Sequence, residues 1–261
     1  MAIDSAACAG PASAALRRSK WRLGGALWLL GMPGVVAVLW ALLPLLRGHE
    51  ALLPLPLWAV VLLSGLQTAV LLALAVAVGV WLSPRVALQA PAISAWLDAR
   101  PVAPVLRAQY KPAMLGGIAG AMWLWALSLV APAALQPSGA QSAMPLVAQL
   151  LYGGITEELL VRWGLMTLLL WVGWRVVQRG QGPPGKALVA VVVLFSALLF
   201  ALGHLPAAQA MAGLLTLPVV AFVLVGHTAF GLVTGWLYAR HGLEAAMLAH
   251  VFAHLVAYPM V

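Results

Sequence analysis

The stretch YGGITEELLVRWGL, Tyr152 to Leu165, sets Glu157, Glu158 and Arg162 in the middle of an otherwise apolar run. Its surroundings decide how to read it. Of the 261 residues 64% are hydrophobic and only 8% are charged, and the mean hydropathy is +1.02. Long apolar runs separated by short polar, basic connections indicate a polytopic helical membrane protein. A barrel is excluded, because its strands would alternate whereas these runs are continuous. The expected fold is therefore all-α: a transmembrane helical bundle forming one integrated membrane domain.

Candidate spans are 24–46, 55–82, 112–135, 144–174, 187–204, 211–239 and 243–259. Arg17, Arg18, Lys20 and Arg22 precede the first, which is too long for the apolar core of a signal peptide and reads as a retained span. The connections then alternate. Arg85, Arg100, Arg107 and Lys111 lie in 83–111, and Arg175, Arg179 and Lys186 lie in 175–186. Segments 136–143 and 205–210 carry no basic residue, and Arg47 sits beside Glu50. Seven spans with the N-terminus in the cytoplasm satisfy the positive-inside bias. The net charge of +8 thus sets orientation; its placement at span ends leaves no groove-sized patch, so a nucleic-acid partner is not expected. Cys8 is the only cysteine, so no intrachain disulfide is possible.

Ser142 and Pro145 are expected to open the fourth span. Pro206 is expected to stop the fifth, and Pro218 and Gly226 to disturb the sixth. The 83–111 segment, with Trp96, Asp98 and several prolines, is expected to lie along the cytoplasmic interface.

Charges inside a span are costly, so each marks a protein-lined or watered interior. The intramembrane set is Glu157, Glu158, Arg162, His204, His227, His250 and His254. Glu158 and Arg162, four apart in acid-before-base order, form a pair that can neutralise itself. Glu157 points about 100° away and has no basic partner in its own turn. His250 and His254 share one helical face, and His204 ends the fifth span. Glu157, His204, His250 and His254 could converge to bind a divalent cation, with zinc the expected ion and one position open for water. Glu157 could instead serve as a general base towards that water. A lone intramembrane histidine is more often hydrogen-bonded packing than a ligand, and His227 is read that way.

These residues resemble a known family. EELLVR (Glu157–Arg162) matches the E-E-x-x-x-R motif of the CAAX-protease and bacteriocin-processing (CPBP) intramembrane proteases, and FALGH (Phe200–His204) resembles their F-x-x-x-H motif. HVFAH (His250–His254) takes the place of the last motif, with His254 where asparagine is usual. The resemblance covers about 143–259, which divides the chain into N-terminal spans with an interfacial segment (1–142) and a CPBP-like core (143–261). It implies intramembrane hydrolysis of peptide bonds in membrane-associated proteins or peptides, including CAAX processing. Glu157 and His204 would activate water, and His250 and His254 would stabilise the oxyanion or join a metal site. Glu158 and Arg162 would be the structural ion pair beside it. The composition suggests a bacterial plasma membrane.

Two other readings compete. The fold could serve a non-proteolytic immunity or partner-scaffolding protein. A proton-coupled transporter could relay protons through carboxylates and imidazoles, although the chain shows no repeat and no second buried acidic site.

Overall fold

The computed structural model describes residues 11–48, 50–136 and 144–260, and among them every regular element is helical. In chain order these are α1 (Pro11–Gly48), α2 (Leu57–Leu82), the short α3 (Pro91–Leu97), α4 (Ala103–Ser128) and α5 (Leu146–Val177). Then come α6 (Lys186–Gly203), α7 (Leu205–Ala212), α8 (Leu217–His241) and α9 (Leu243–Ala257).

Among the described residues, six stretches are long and apolar enough to cross a membrane: Ser19–Gly48, Leu57–Arg85, Leu146–Val177, Lys186–Ala212, Leu217–His241 and Leu243–Met260. The chain is a multi-pass membrane protein. The remaining expected span, 112–135, falls on α4, which starts earlier and ends at Ser128. Arg107, Gln109 and Lys111 on its first turns dilute its apolar stretch.

Small residues let these helices approach closely, as membrane packing requires. Gly116, Gly117 and Gly120 of α4 face Leu237, Phe252 and Phe230 of α8 and α9, and any Cβ there would collide with them. Polar side chains then tie helices through backbone carbonyls. Thr156 of α5 donates to the Gly31 carbonyl of α1 at 2.7 Å, and Trp28 of α1 donates to the Ala69 carbonyl of α2 at 3.1 Å. The Trp163 indole of α5 reaches the Val76 carbonyl of α2 at 3.3 Å. Thr167 of α5 and Tyr238 of α8 share a hydroxyl hydrogen bond of 2.8 Å. Each such bond satisfies a polar group that hydrocarbon would leave bare.

The expected breaks hold only in part. Helix α6 does end at Gly203, just before Pro206 as expected, but Pro206 opens the short α7, where its missing N–H costs nothing, so the chain turns at His204 and continues as helix. Pro218 likewise opens α8, which runs unbroken through Gly226. Helix α5 begins at Leu146 with Pro145 just before it, while Ser142 lies outside the described residues. The irregularity falls instead within α5. Residues Gln149–Glu157 and Leu159–Met166 follow a wider, π-helical winding, a feature that recurs at functional sites.

The basic connections gather at one end. Arg22 of α1 donates to the Leu97 carbonyl of α3 at 2.6 Å, and the Lys20 ammonium lies 4.4 Å from the centre of the Trp81 ring. Segment 86–102 folds over the start of α9: the Leu243 amide donates to the Gln89 carbonyl at 3.0 Å. The buried Glu244 carboxylate accepts from the Ile93 amide of α3 at 2.9 Å and from Gln109 at 3.2 Å. The chain reverses at Gly242, whose φ of +98° suits glycine. A side chain there would also strike the Pro91 ring.

Candidate active site

The site is built where α5, α6, α8 and α9 meet. Adjacent Glu157 and Glu158 leave α5 in different directions and meet different partners.

Glu158 turns into the protein. One of its oxygens, Oε1, lies 3.2 Å from Arg162 Nη1 and accepts a 2.7 Å hydrogen bond from His250 Nδ1. Arg162 Nη2 donates to the Gly231 carbonyl of α8 at 3.3 Å, and its guanidinium lies 4.6 Å from the centre of the Phe200 ring of α6. Phe230 of α8 sets its edge against the His250 ring at 4.8 Å. Glu158, Arg162 and His250 are fully buried. Oε2 of Glu158 is buried without a hydrogen-bond partner among the described residues. This is an ionic knot joining four helices, and neither solvent nor substrate reaches it.

Glu157 turns the other way, towards His204 at the joint between α6 and α7. Its Oε1 lies 3.7 Å from His204 Nε2, and the two side chains retain 17% and 26% of their exposure. That exposure separates them from the closed knot. His204 Nδ1 is 2.8 Å from the Phe200 carbonyl, which can only accept; Nδ1 therefore carries the proton, and Nε2 faces the carboxylate. Phe200 packs its edge on the ring at 4.6 Å, while His227 of α8 stacks on it at 3.9 Å with 28° between planes. His227 Nδ1 donates to the Val223 carbonyl at 2.9 Å.

His254 stacks on His250, with centroids 5.0 Å apart. Its Nε2 would lie 3.2 Å from a Cβ on Gly153, one turn before Glu157 on α5. A side chain there would press on the imidazole, which would have to yield by a few tenths of an ångström. His254 thus approaches the side of α5 that carries Gly153.

The four residues expected to converge are therefore divided. Glu157 and His204 form one pair. His250 belongs to Glu158, and Arg162 shares that carboxylate instead of neutralising it alone. His254 stands beside His250. His227, read from sequence as hydrogen-bonded packing, does bond to the Val223 carbonyl, and what the sequence does not show is that it packs on His204. A signal existed: an intramembrane imidazole next to Gly226, on a helix joined to the His204 segment by a short connection.

A zinc centre needs at least three protein donors ~2.0–2.2 Å from one point. Among the described residues, no three His, Cys, Asp or Glu side chains are placed to hold a metal ion. The His204 and His227 rings lie face to face, so their nitrogens run side by side without converging, and His250 Nδ1 is committed to Glu158. As arranged, the donor set does not fit the expected zinc.

A cavity of about 360 Å3 lies between α1, α3, α4, α5 and α9, lined by Leu30, Trp96, Leu106, Ile155, Met247 and Val251 among others. Glu157, His204, His250 and His254 are not part of its wall. It occupies the far side of the contact between Gly154 of α5 and Val251 of α9.

No curated protein and no solved structure matches the chain. Residues 139–256 match the family model for Rce1-like, type II CAAX prenyl endopeptidases. The matched segment begins just before α5 and spans every helix of the site. It points to CAAX-type endopeptidase activity on a membrane-associated protein substrate. Over residues 139–256, which carry Glu157, Glu158, Arg162 and the site histidines, the chain is thus similar to the Rce1-like CAAX endopeptidase family.

Proposed function

We propose that the protein is an intramembrane endopeptidase that cleaves CAAX-type proteins or peptides with a water molecule held between Glu157 and His204. The observation that carries this reading is the contrast between the two carboxylates. Glu158 is sealed and already neutralised; Glu157 keeps some exposure and faces the lone pair of an oriented imidazole.

A separation of 3.7 Å is too long for a direct hydrogen bond but suits a shared water. A water ~2.8 Å from both Oε1 and Nε2 sits at the apex of a narrow triangle. Glu157 then acts as general base. The water oxygen bonds to the scissile carbonyl carbon as its proton passes to the carboxylate, and the carbonyl becomes an oxyanion. When the C–N bond breaks, Glu157 returns that proton to the departing amine. His204 keeps the water aligned through Nε2, with its Nδ1 proton held by the Phe200 carbonyl. His254, which lies beside Gly153, would donate a ring N–H to the oxyanion. Glu158, Arg162 and His250 hold α5, α8 and α9 in register around these groups. We place the protein in a bacterial plasma membrane with its N-terminus in the cytoplasm, so that the basic end faces the cytoplasm.

The test is turnover of a farnesylated fluorogenic CAAX peptide by the purified protein in nanodiscs. Removing a general base typically costs ~10²–10⁴-fold. Glu157→Gln should lose at least ~10²-fold in kcat while its melting temperature stays at the wild-type value. Undiminished turnover in that variant would refute the mechanism.

A further inference from the structure

We infer that His227 is a positioning residue, and that its stacked ring holds His204 in the orientation that presents Nε2 to Glu157. The inference rests on the hydrolytic reading for its consequence but on geometry alone for its content.

His204 is restrained from its own helix by one bond, from Nδ1–H to the Phe200 carbonyl at 2.8 Å. It is the hinge residue between α6 and α7, beyond the last full turn of the first helix. A histidine χ2 torsion is broad, so the ring can still pivot about that single bond and swing Nε2 off Glu157 unless its faces are held as well. Phe200 cannot do this alone, since it meets the ring edge-on and belongs to the same helix as the hinge. The restraint from outside comes from α8. His227 covers one face of His204 at 3.9 Å and also packs its edge on Phe200, with centroids 5.9 Å apart. Phe200 and His227, from two helices, thus both pack on the His204 ring and on each other.

The stacking ring is itself fixed. Its Nδ1–H is held by the Val223 carbonyl one turn earlier on α8. The adjacent Gly226 carbonyl accepts a 3.0 Å hydrogen bond from the Trp123 indole of α4, which anchors this turn of α8 from its other side. A chain of contacts therefore runs from α4 through α8 to the His204 ring. What His227 supplies is an aromatic face, and a phenyl ring can replace it.

Two measurements decide the matter. The first does not depend on activity. In protein carrying labelled histidine in detergent micelles, with assignments from His204→Gln, the His204 ring protons should be shifted upfield by the stacked ring. His227→Leu should abolish that shift and His227→Phe should retain it. A His204 signal unchanged in His227→Leu overturns the inference, whether or not the protein is a peptidase. The second measurement is kinetic. His227→Leu should lower kcat about tenfold, roughly one aromatic contact's worth of orientation. KM should stay within about twofold, and His227→Phe should restore most of the rate. If His227→Phe is as impaired as His227→Leu while both melt like wild type, the ring nitrogen and not the face matters, and the positioning role is wrong. Activity untouched by Glu157→Gln would sink the hydrolytic reading separately and leave the spectroscopic result standing.

Discussion

Glu157 and Glu158 differ by one position and about 100° of helix, and that rotation is enough to leave one carboxylate partly exposed and bury the other completely. A buried carboxylate is tolerated only when cations and donors satisfy it. Arg162 and His250 do so for Glu158, and together they are nearly sealed. Removing one member of a buried ionic group leaves its partners uncompensated, which typically costs ~3–5 kcal/mol. Glu158→Gln keeps an oxygen for His250 but strands the Arg162 charge, so a loss of about 3 kcal/mol is expected, at the lower end of that range. Thermal unfolding in detergent checks it. The two adjacent variants should then differ in kind, Glu158→Gln in stability and Glu157→Gln in turnover alone; equal melting temperatures would break the distinction. Sequence spacing shows the Glu158–Arg162 pair, because i and i+4 lie on one helical face whatever else the chain does. It does not show that His250 completes the pair, since that bond joins positions 92 residues apart and depends on which ring nitrogen carries the proton. For the same reason His227 reads as packing until α8 is set beside α6.

At the level of elements, the apolar runs locate the helices but not all of their ends, as α4 shows by starting nine residues early and ending at Ser128, while the distortions that shape the site are not written in prolines. Pro206 and Pro218 sit in first turns, where they do no harm, and the wide winding of α5 has no proline within it. A straight-helix count from the inner ends places Glu157 and His204 ~26 Å deep but His254 only ~16 Å. The start of α9 explains the mismatch. Leu243, Ala245 and Ala246 are completely buried, and residues 86–102 roof that end, so α9 begins below the surface from which α5 and α6 are counted. No pattern within α9 reveals this, because burial of a helix end is a property of what covers it. The second half of α5 is in turn fixed by α2, where Gly164 leaves no space: an added Cβ would lie 2.6 Å from Ala75 Cβ and 2.9 Å from its Cα. Backbone cannot yield as a flexible side chain can. Gly164→Ala should therefore push α5 off α2 and destabilise by about 1–3 kcal/mol, the usual range for overpacking. Because Arg162 lies two residues away, kcat should fall as well. A variant that melts and turns over like wild type would show that the α2–α5 contact does not set the site.

For the whole molecule the open question is how many times the chain crosses. By length and hydropathy six stretches qualify and α4 does not. Hydropathy scores a helix as though lipid surrounded it, and α4 is not so placed. Its glycine face packs on α8 and α9, Gln109 is buried in a hydrogen bond to Glu244, and Trp123 bonds to Gly226 of α8. Lys111 and Arg107 are near its start, at the end where the other basic connections gather. A helix of 26 residues spans ~39 Å, more than the ~30 Å hydrocarbon core. These features argue that α4 crosses, making seven spans and setting the two ends of the chain on opposite sides. The expected result with topology reporters is that fusions before α1, within 98–102 and within 179–184 report the cytoplasm. Fusions at 53–56, 131–136, 213–216 and after Met260 should report the opposite side. If the fusions at 98–102 and 131–136 report the same side, α4 does not cross. The basic segments on either side of it would then no longer account for the orientation, and Glu157 and His204 would have to be reached from the other face of the membrane.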